Sequence, residues 1–344
     1  MASRWGRGVG VVVGILALRE ARAIGAPPSG PEPDREARGS AEGGTREDLV
    51  SVAAEQSDMR LVFDTSKIPG GPYYVNDHTF VRGPDGTWHL FGIFNREPFQ
   101  ASEEVELVHA VNAEPDPARW GEADRMFEPA PWPHAVALRA NPAIGETHLW
   151  APHVVRGDDR WYLVYQGGGA DDYHASIRIA ESDDLHRWTR VGTAPLFEDI
   201  CEARDPMLVR REGEWVVYYT RCESIGRKVS GVAYRTSRDL SSWSEPHMAL
   251  TVTSSGETSN SAYTESPFVF ERGGLHLLSV TAYPTSWDAT LVYRSKTPFA
   301  FADAPVTRLR AHAAEWVLGR GNAVFLTHAG AGQGGVWMSS IEGL

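Results

Sequence analysis

Cysteine is scarce: Cys201 and Cys222 are the only two in 344 residues. That excludes a cysteine-built metal cluster and leaves either two buried thiols or one disulfide. Positive charge is in deficit, 33 Lys and Arg against 45 Asp and Glu for a formal net charge of -12. Such a balance opposes binding to nucleic-acid phosphates or to an anionic membrane surface, so neither is an expected partner. Long apolar runs are missing too, since the stretch from Gly8 to Leu18 is too short to span a bilayer. No segment sustains a helical period, which removes helical bundles and α/β folds from consideration. What remains is 42% hydrophobic and 23% charged, the composition of a globular chain with ample core.

The short apolar run follows Arg4 and Arg7 and precedes Ala21-Arg22-Ala23, an A-x-A pattern. Residues 1–23 therefore read as an export signal, which predicts a secreted or periplasmic protein with no other membrane contact. The charges of Arg19, Glu20 and Arg22 beside the cut leave a retained anchor or a misplaced start as alternatives. Residues 24–48 are rich in Gly, Pro, Glu and Arg with almost no large apolar side chain, and read as a disordered linker. Residues 49–344 are expected to form one domain.

Within that domain one phrase occurs twice. Ser182, Asp184, Leu185 and Trp188 spell Ser-x-Asp-Leu-x-x-Trp, and Ser237, Asp239, Leu240 and Trp243 repeat it 55 residues later. Each copy follows strand-like runs separated by turn residues: "PHVVRG", "WYLVYQ" and "ASIRIAES" before the first, "PMLVRR", "WVVYYTR" and "SGVAYRTS" before the second. In the second unit Trp243 is able to close a fourth strand. Looser versions begin at "HTFVRG", "PFVFER" and "AAEWVLG", making five units between about Tyr73 and Ile341. Antiparallel four-stranded units recurring at this spacing predict an all-β, five-bladed β-propeller; a β-sandwich with coincidentally similar hairpins is the competing architecture.

In a propeller the first strand of each blade lines the central channel, so the starts of those strands converge. They read "VNDHTF", "LWAPHV", "EARDPML", "TESPFVF" and "HAAEWV", and carry Asp77, His153, Asp205, Glu265, His312 and Glu315. Clustered carboxylates repel and lose hydration, so a purely structural channel would place apolar residues there. Glycoside hydrolysis needs such a cluster: one carboxylic acid protonates the leaving oxygen, and a carboxylate attacks the anomeric carbon or activates water. Asp-Pro and Glu-Ser-Pro are also ordinary turn sequences before strands.

Asn76-Asp77, Trp150-Ala151-Pro152, Arg204-Asp205-Pro206 and Glu265-Ser266-Pro267, together with the two Ser-x-Asp-Leu-x-x-Trp phrases, resemble the five-bladed propeller glycosidases of glycoside hydrolase families 43 and 32. The resemblance runs from about Tyr73 to the end of the sequence. It implies that Asp77 is base or nucleophile, that Asp205 orients and tunes, and that Glu265 is the acid. The fructosidase pattern continues its first motif with Pro-Asn-Gly and has Cys after the Glu; here His78-Thr79 and Ser266 stand instead. Trp150-Ala151-Pro152 is more similar to family 43. Both families stay open at this point, and with them retention, implied by the fructosidases, or inversion, implied by family 43.

Around the three acids, Asn76, His78, Trp150, His153, Arg204, His312 and Glu315 are candidate substrate-binding residues. Arg204 either donates to a sugar hydroxyl or pairs with an acid. Trp150 either walls the sugar or packs between blades, and His153 either meets substrate or satisfies a core hydrogen bond. No cofactor or catalytic metal is expected; a structural calcium ion near His312 is the one metal reading, weakened by the lack of an acidic loop. The expectation is an exported hydrolase of furanosidic or pentose-containing oligo- or polysaccharides, of arabinofuranosidase, xylosidase or fructosidase type. A sugar-binding propeller without activity and a related glycoside phosphorylase are the alternatives.

Overall fold

The repeated phrase folds the same way twice. In the first copy Ser182 Oγ accepts from the backbone N–H of Asp184 and Leu185 (3.2 and 2.9 Å), while Asp184 Oδ1 accepts from those of His186 and Arg187 (both 2.8 Å). In the second, Ser237 Oγ caps Asp239 and Leu240, and Asp239 Oδ1 caps Ser241 and Ser242. The leucine takes a left-handed backbone in both, φ 66° at Leu185 and 64° at Leu240. The phrase is thus a side-chain-capped turn after a blade's third strand. Trp243 belongs to this turn, and the fourth strand of its blade begins later, at His247.

The computed structural model describes residues 54–112, 132–168, 176–199, 203–222, 229–253, 264–281, 288–302, 304–319 and 323–344. The proposed signal, the linker and Cys201 lie outside them, as does the side chain of Cys222, and with these the choice between bridge and thiols. The described chain is all-β, a five-bladed propeller. Blade 1 comprises Tyr73–Arg82, Trp88–Arg96, Glu106–Val111 and His134–Arg139. Blade 2 runs through Leu149–Arg156, Trp161–Gly167, Ser176–Ser182 and Thr189–Arg190. Blade 3 is Ala203–Arg211, Glu214–Cys222, Val229–Ser237 and His247–Thr253. Blade 4 is Glu265–Arg272, Leu275–Thr281, Thr290–Ser295 and Thr307–Leu309.

Blade 5 departs from the expected order. Trp316–Leu318, Val324–His328 and Gly335–Glu342 come from the end of the domain, but its outer edge is supplied by Glu55–Gln56 and Arg60–Asp64, from before blade 1. These pair antiparallel with Gly335–Glu342, from Glu55 opposite Glu342 to Asp64 opposite Gly335. The propeller therefore begins ahead of Tyr73, and the otherwise bare edge of the last blade is covered.

Core packing sits at the seams, because a blade is apolar on both faces. Phe91, Ile93 and Leu107 of blade 1 meet Leu149, Leu163 and Tyr165 of blade 2. Val62, Phe63, Val75 and Leu90 meet Phe325, Val336 and Met338 where blade 5 closes on blade 1. The seams also bury paired charge. Glu146, 0% exposed, accepts from Arg190 Nε and Nη2 at 2.9 and 2.6 Å, from the Tyr165 hydroxyl at 2.7 Å and from Asn141 N–H at 2.8 Å. Asp199 repeats the theme with Tyr219, Arg221 and Arg235. Arg190→Leu strands the Glu146 carboxylate, and we expect a loss of about 3–5 kcal/mol in chemical denaturation.

Candidate active site

The inner strands of blades 1 to 4 each carry a β-bulge near their start, and the bulge explains how acids reach the channel. Two residues oppose one at Asn76-Asp77, Ala151-Pro152, Asp205-Pro206 and Ser266-Pro267, where the register shifts. The first bulge residue is left-handed in blades 2, 3 and 4, with φ 45° at Ala151, 54° at Asp205 and 49° at Ser266, and Ala313 of blade 5 matches at 48°. Such strain costs about 1–3 kcal/mol per residue and re-aims side chains. The three acids occupy successive places in it: Glu265 just before, Asp205 first and Asp77 second.

They converge on one pocket of about 380 Å³, lined by Asn76, Asp77, Trp150, Arg204, Asp205, Glu265 and His312 among others. Ser266 links them, its hydroxyl donating to Asp77 Oδ1 at 2.5 Å and its N–H to Asp205 Oδ2 at 3.1 Å. Arg204 takes the acid-pairing alternative, with Nη1 3.0 Å from Glu265 Oε1 and Nε 3.9 Å from Asp205 Oδ2. Asn76 Oδ1 lies 3.1 Å from His312 Nε2. Trp150 stacks on His148 with ring centroids 3.8 Å apart and faces the pocket as well.

Three candidates lie elsewhere. His78 and Glu315 border a much smaller cavity beneath the pocket, together with Asp77 and Asp205. The His78 ring nitrogens are engaged by Asn76 O (3.0 Å) and Thr327 Oγ1 (2.7 Å), and burial pushes the imidazole down to about 4, so it braces the channel as a neutral ring rather than meeting solvent. Burial raises the Glu315 carboxyl well above its ordinary value. His153 lines neither cavity; it is buried, accepts from Leu208 N–H at 3.3 Å and meets Phe268 edge-on, which is the core-histidine alternative.

Two acids that line the pocket, Glu104 and the exposed Asp288, were not among the candidates read from the sequence. Glu104, in the connection between the second and third strands of blade 1, lines the pocket and is only 2% exposed. The Tyr74 hydroxyl donates to its Oε1 at 2.8 Å. Burial, reinforced by the charge of Asp77, raises its carboxyl to about 8. In the string "ASEEVEL" it reads as one surface acid among neighbours, and no sequence signal separates it.

Asp205 is raised from 3.8 to about 7, first by burial and then by the charges of Asp77 and Glu265, against the pull of Arg204 and the Ser266 N–H. The unfolded carboxyl ionises near 3.9. Below that pH both states hold the proton and burial costs nothing; from about 4 to 7 only the folded state keeps it, so stability falls as pH rises and levels off beyond. Asp205→Asn removes this dependence. Its Tm relative to the parent protein is expected to climb between pH 4 and 7, as read by thermal denaturation at fixed ionic strength.

Among the described residues no group of three or more His, Cys, Asp or Glu is arranged to hold a metal, and the His312 Nε2 already faces Asn76. Several carboxyl groups gathered around one pocket are the equipment that acid–base chemistry at a glycosidic bond requires.

The chain matches the model for glycosyl hydrolases family 43 over residues 115–331. A search of curated proteins finds no match. Among solved structures, a thermostable family-43 glycoside hydrolase aligns with a TM-score of 0.57 and 17% identity over 80% of this chain and 91% of that one. An endo-arabinase from Bacteroides thetaiotaomicron aligns at 0.59 and 14%, covering 84% and 98%. A family 32 β-fructofuranosidase of Bombyx mori aligns at 0.56 and 19%, covering 78% of this chain and 61% of its own. At these identities the structural likeness speaks for the fold, and the family model decides between families 43 and 32. With that match extending over more than half of the sequence, the chain belongs to glycosyl hydrolases family 43 and is a glycoside hydrolase.

Proposed function

We propose that this enzyme hydrolyses pentose-containing glycans, arabinosides or xylosides, by a single displacement with inversion at the anomeric carbon. The observation that carries the reading is the convergence of Asp77, Asp205 and Glu265 on one pocket, tied together by Ser266 and Arg204. Glu265 gives its proton to the departing oxygen. Asp77 takes one from the attacking water, and Asp205 sets the orientation and charge of both. A neutral Glu104 presents a polar wall to a sugar hydroxyl. The substrate class is supported by structural neighbours described as an endo-arabinase, an α-L-arabinofuranosidase from Lactobacillus brevis and an endo-1,4-β-xylanase from Bacteroides thetaiotaomicron. The export signal read at residues 1–23 fits a polymeric substrate met outside the cytoplasm.

The test is a panel of arabinan, xylan, fructan and the corresponding nitrophenyl glycosides, followed by proton NMR during the first turnovers. We expect cleavage of an arabinoside or xyloside with the product first appearing in the anomeric configuration opposite to the substrate, at a rate unchanged by phosphate. Retention, phosphate dependence or exclusive action on fructan overturns the reading.

A further inference from the structure

We propose that Ser266 is a positioning residue that holds Asp77 in the orientation from which it deprotonates water. The inference rests on the hydrolytic reading above and assigns a role to a residue beside the acid rather than to the acid itself. The Ser266 hydroxyl reaches from blade 4 to blade 1, across 189 residues of sequence, to donate to Asp77 Oδ1 at 2.5 Å. Engaging Oδ1 fixes the plane of the carboxylate and assigns Oδ2 to the water.

The hydroxyl is presented by stiff backbone. Ser266 sits in a bulge bounded by the pairs Glu265–Thr281 and Phe268–Ser279, with φ of 49° and its N–H committed to Asp205 Oδ2. The repeat supplies an internal control: Ala151 and Ala313 hold the same left-handed place in blades 2 and 5 without any hydroxyl. The bulge therefore does not require serine. What the hydroxyl adds is the bond to Asp77, and because Ser266 follows Glu265 directly, that bond also couples the placement of base and acid.

The experiment compares Ser266→Ala, Ser266→Cys, Asp77→Ala and the Ser266→Ala/Asp77→Ala double variant. Alanine is sterically admitted, as Ala151 shows; cysteine keeps a weak donor of similar shape. We expect Ser266→Ala to lower kcat on the glycan about tenfold to a hundredfold with KM little changed, and Ser266→Cys to fall between it and the parent. In thermal denaturation, which needs no activity, the double variant is expected to melt where Asp77→Ala does, since the bond is already gone. A Ser266→Ala enzyme with unchanged kcat overturns the proposal, as do strictly additive Tm changes. A parent protein inert toward the whole panel overturns the hydrolytic reading instead, and the thermal cycle then still decides whether Ser266 orients Asp77.

Discussion

Glu265→Ala is expected to lose at least 10² to 10⁴-fold in cleavage of the natural glycan, roughly the contribution of one positioned proton-transfer group, while retaining much of its rate on a dinitrophenyl glycoside. The difference lies in the leaving group. A sugar alkoxide departs only if protonated as the bond breaks, whereas a dinitrophenolate departs unaided. In a single displacement no later step calls on Glu265, so the activated substrate needs only the base and water. Arg204, 3.0 Å from Glu265 Oε1, is left without that carboxylate in the variant, so Glu265→Gln serves as the control that keeps a hydrogen-bond acceptor in place. Initial rates on both substrates, with Tm alongside, check the result; equal losses on the two would remove Glu265 from the acid's role.

Asp77→Asn is expected to abolish turnover of both substrates, again by about 10² to 10⁴-fold, because water must be deprotonated whatever leaves. Asparagine keeps an oxygen for the Ser266 hydroxyl and nearly the same volume, so the bulge and its cross-ring bond survive. The paired outcome is diagnostic. A leaving-group-dependent loss at Glu265 and a leaving-group-independent loss at Asp77 divide acid from base without any appeal to relatives. Mild and equal effects at both positions would take the acid and base roles away from Glu265 and Asp77.

Much of this site could be read before the fold was known, for a physical reason. Blades repeat, so the starts of inner strands can be aligned, and acids there are costly enough to demand an explanation. Alignment alone misses the stagger. Asp77, Asp205 and Glu265 stand at three consecutive places of the bulge, and period-2 alternation has no way to say which side of an irregular step a residue falls on. That is why His78 and Glu315 lie beneath the pocket and His153 outside it. Glu104 escaped because a loop residue carries no periodicity at all. Glu146, fully buried, and Asp199, partly buried, were invisible for the opposite reason: their arginine partners lie tens of residues away, and only the fold shows them neutralised.

The shared fifth blade has a consequence for how the protein comes into being. Gln56 bonds to Ser339 Oγ across 283 residues, and Arg60–Asp64 adds to the same partner strand. On the ribosome the earliest of these strands emerges long before its complement, and the ring stays open, with one apolar edge unpaired, until the last blade is synthesised. Blades 1 to 4 can form hairpin by hairpin, but the circle shuts in a late step of high contact order, the kind that is slow and exposed to association with other chains. A circular permutant that omits residues 1–53, joins Leu344 to Ala54 and moves the break to a loop between two other blades makes Glu55–Asp64 and Gly335–Glu342 near neighbours in sequence, and their pairing becomes local.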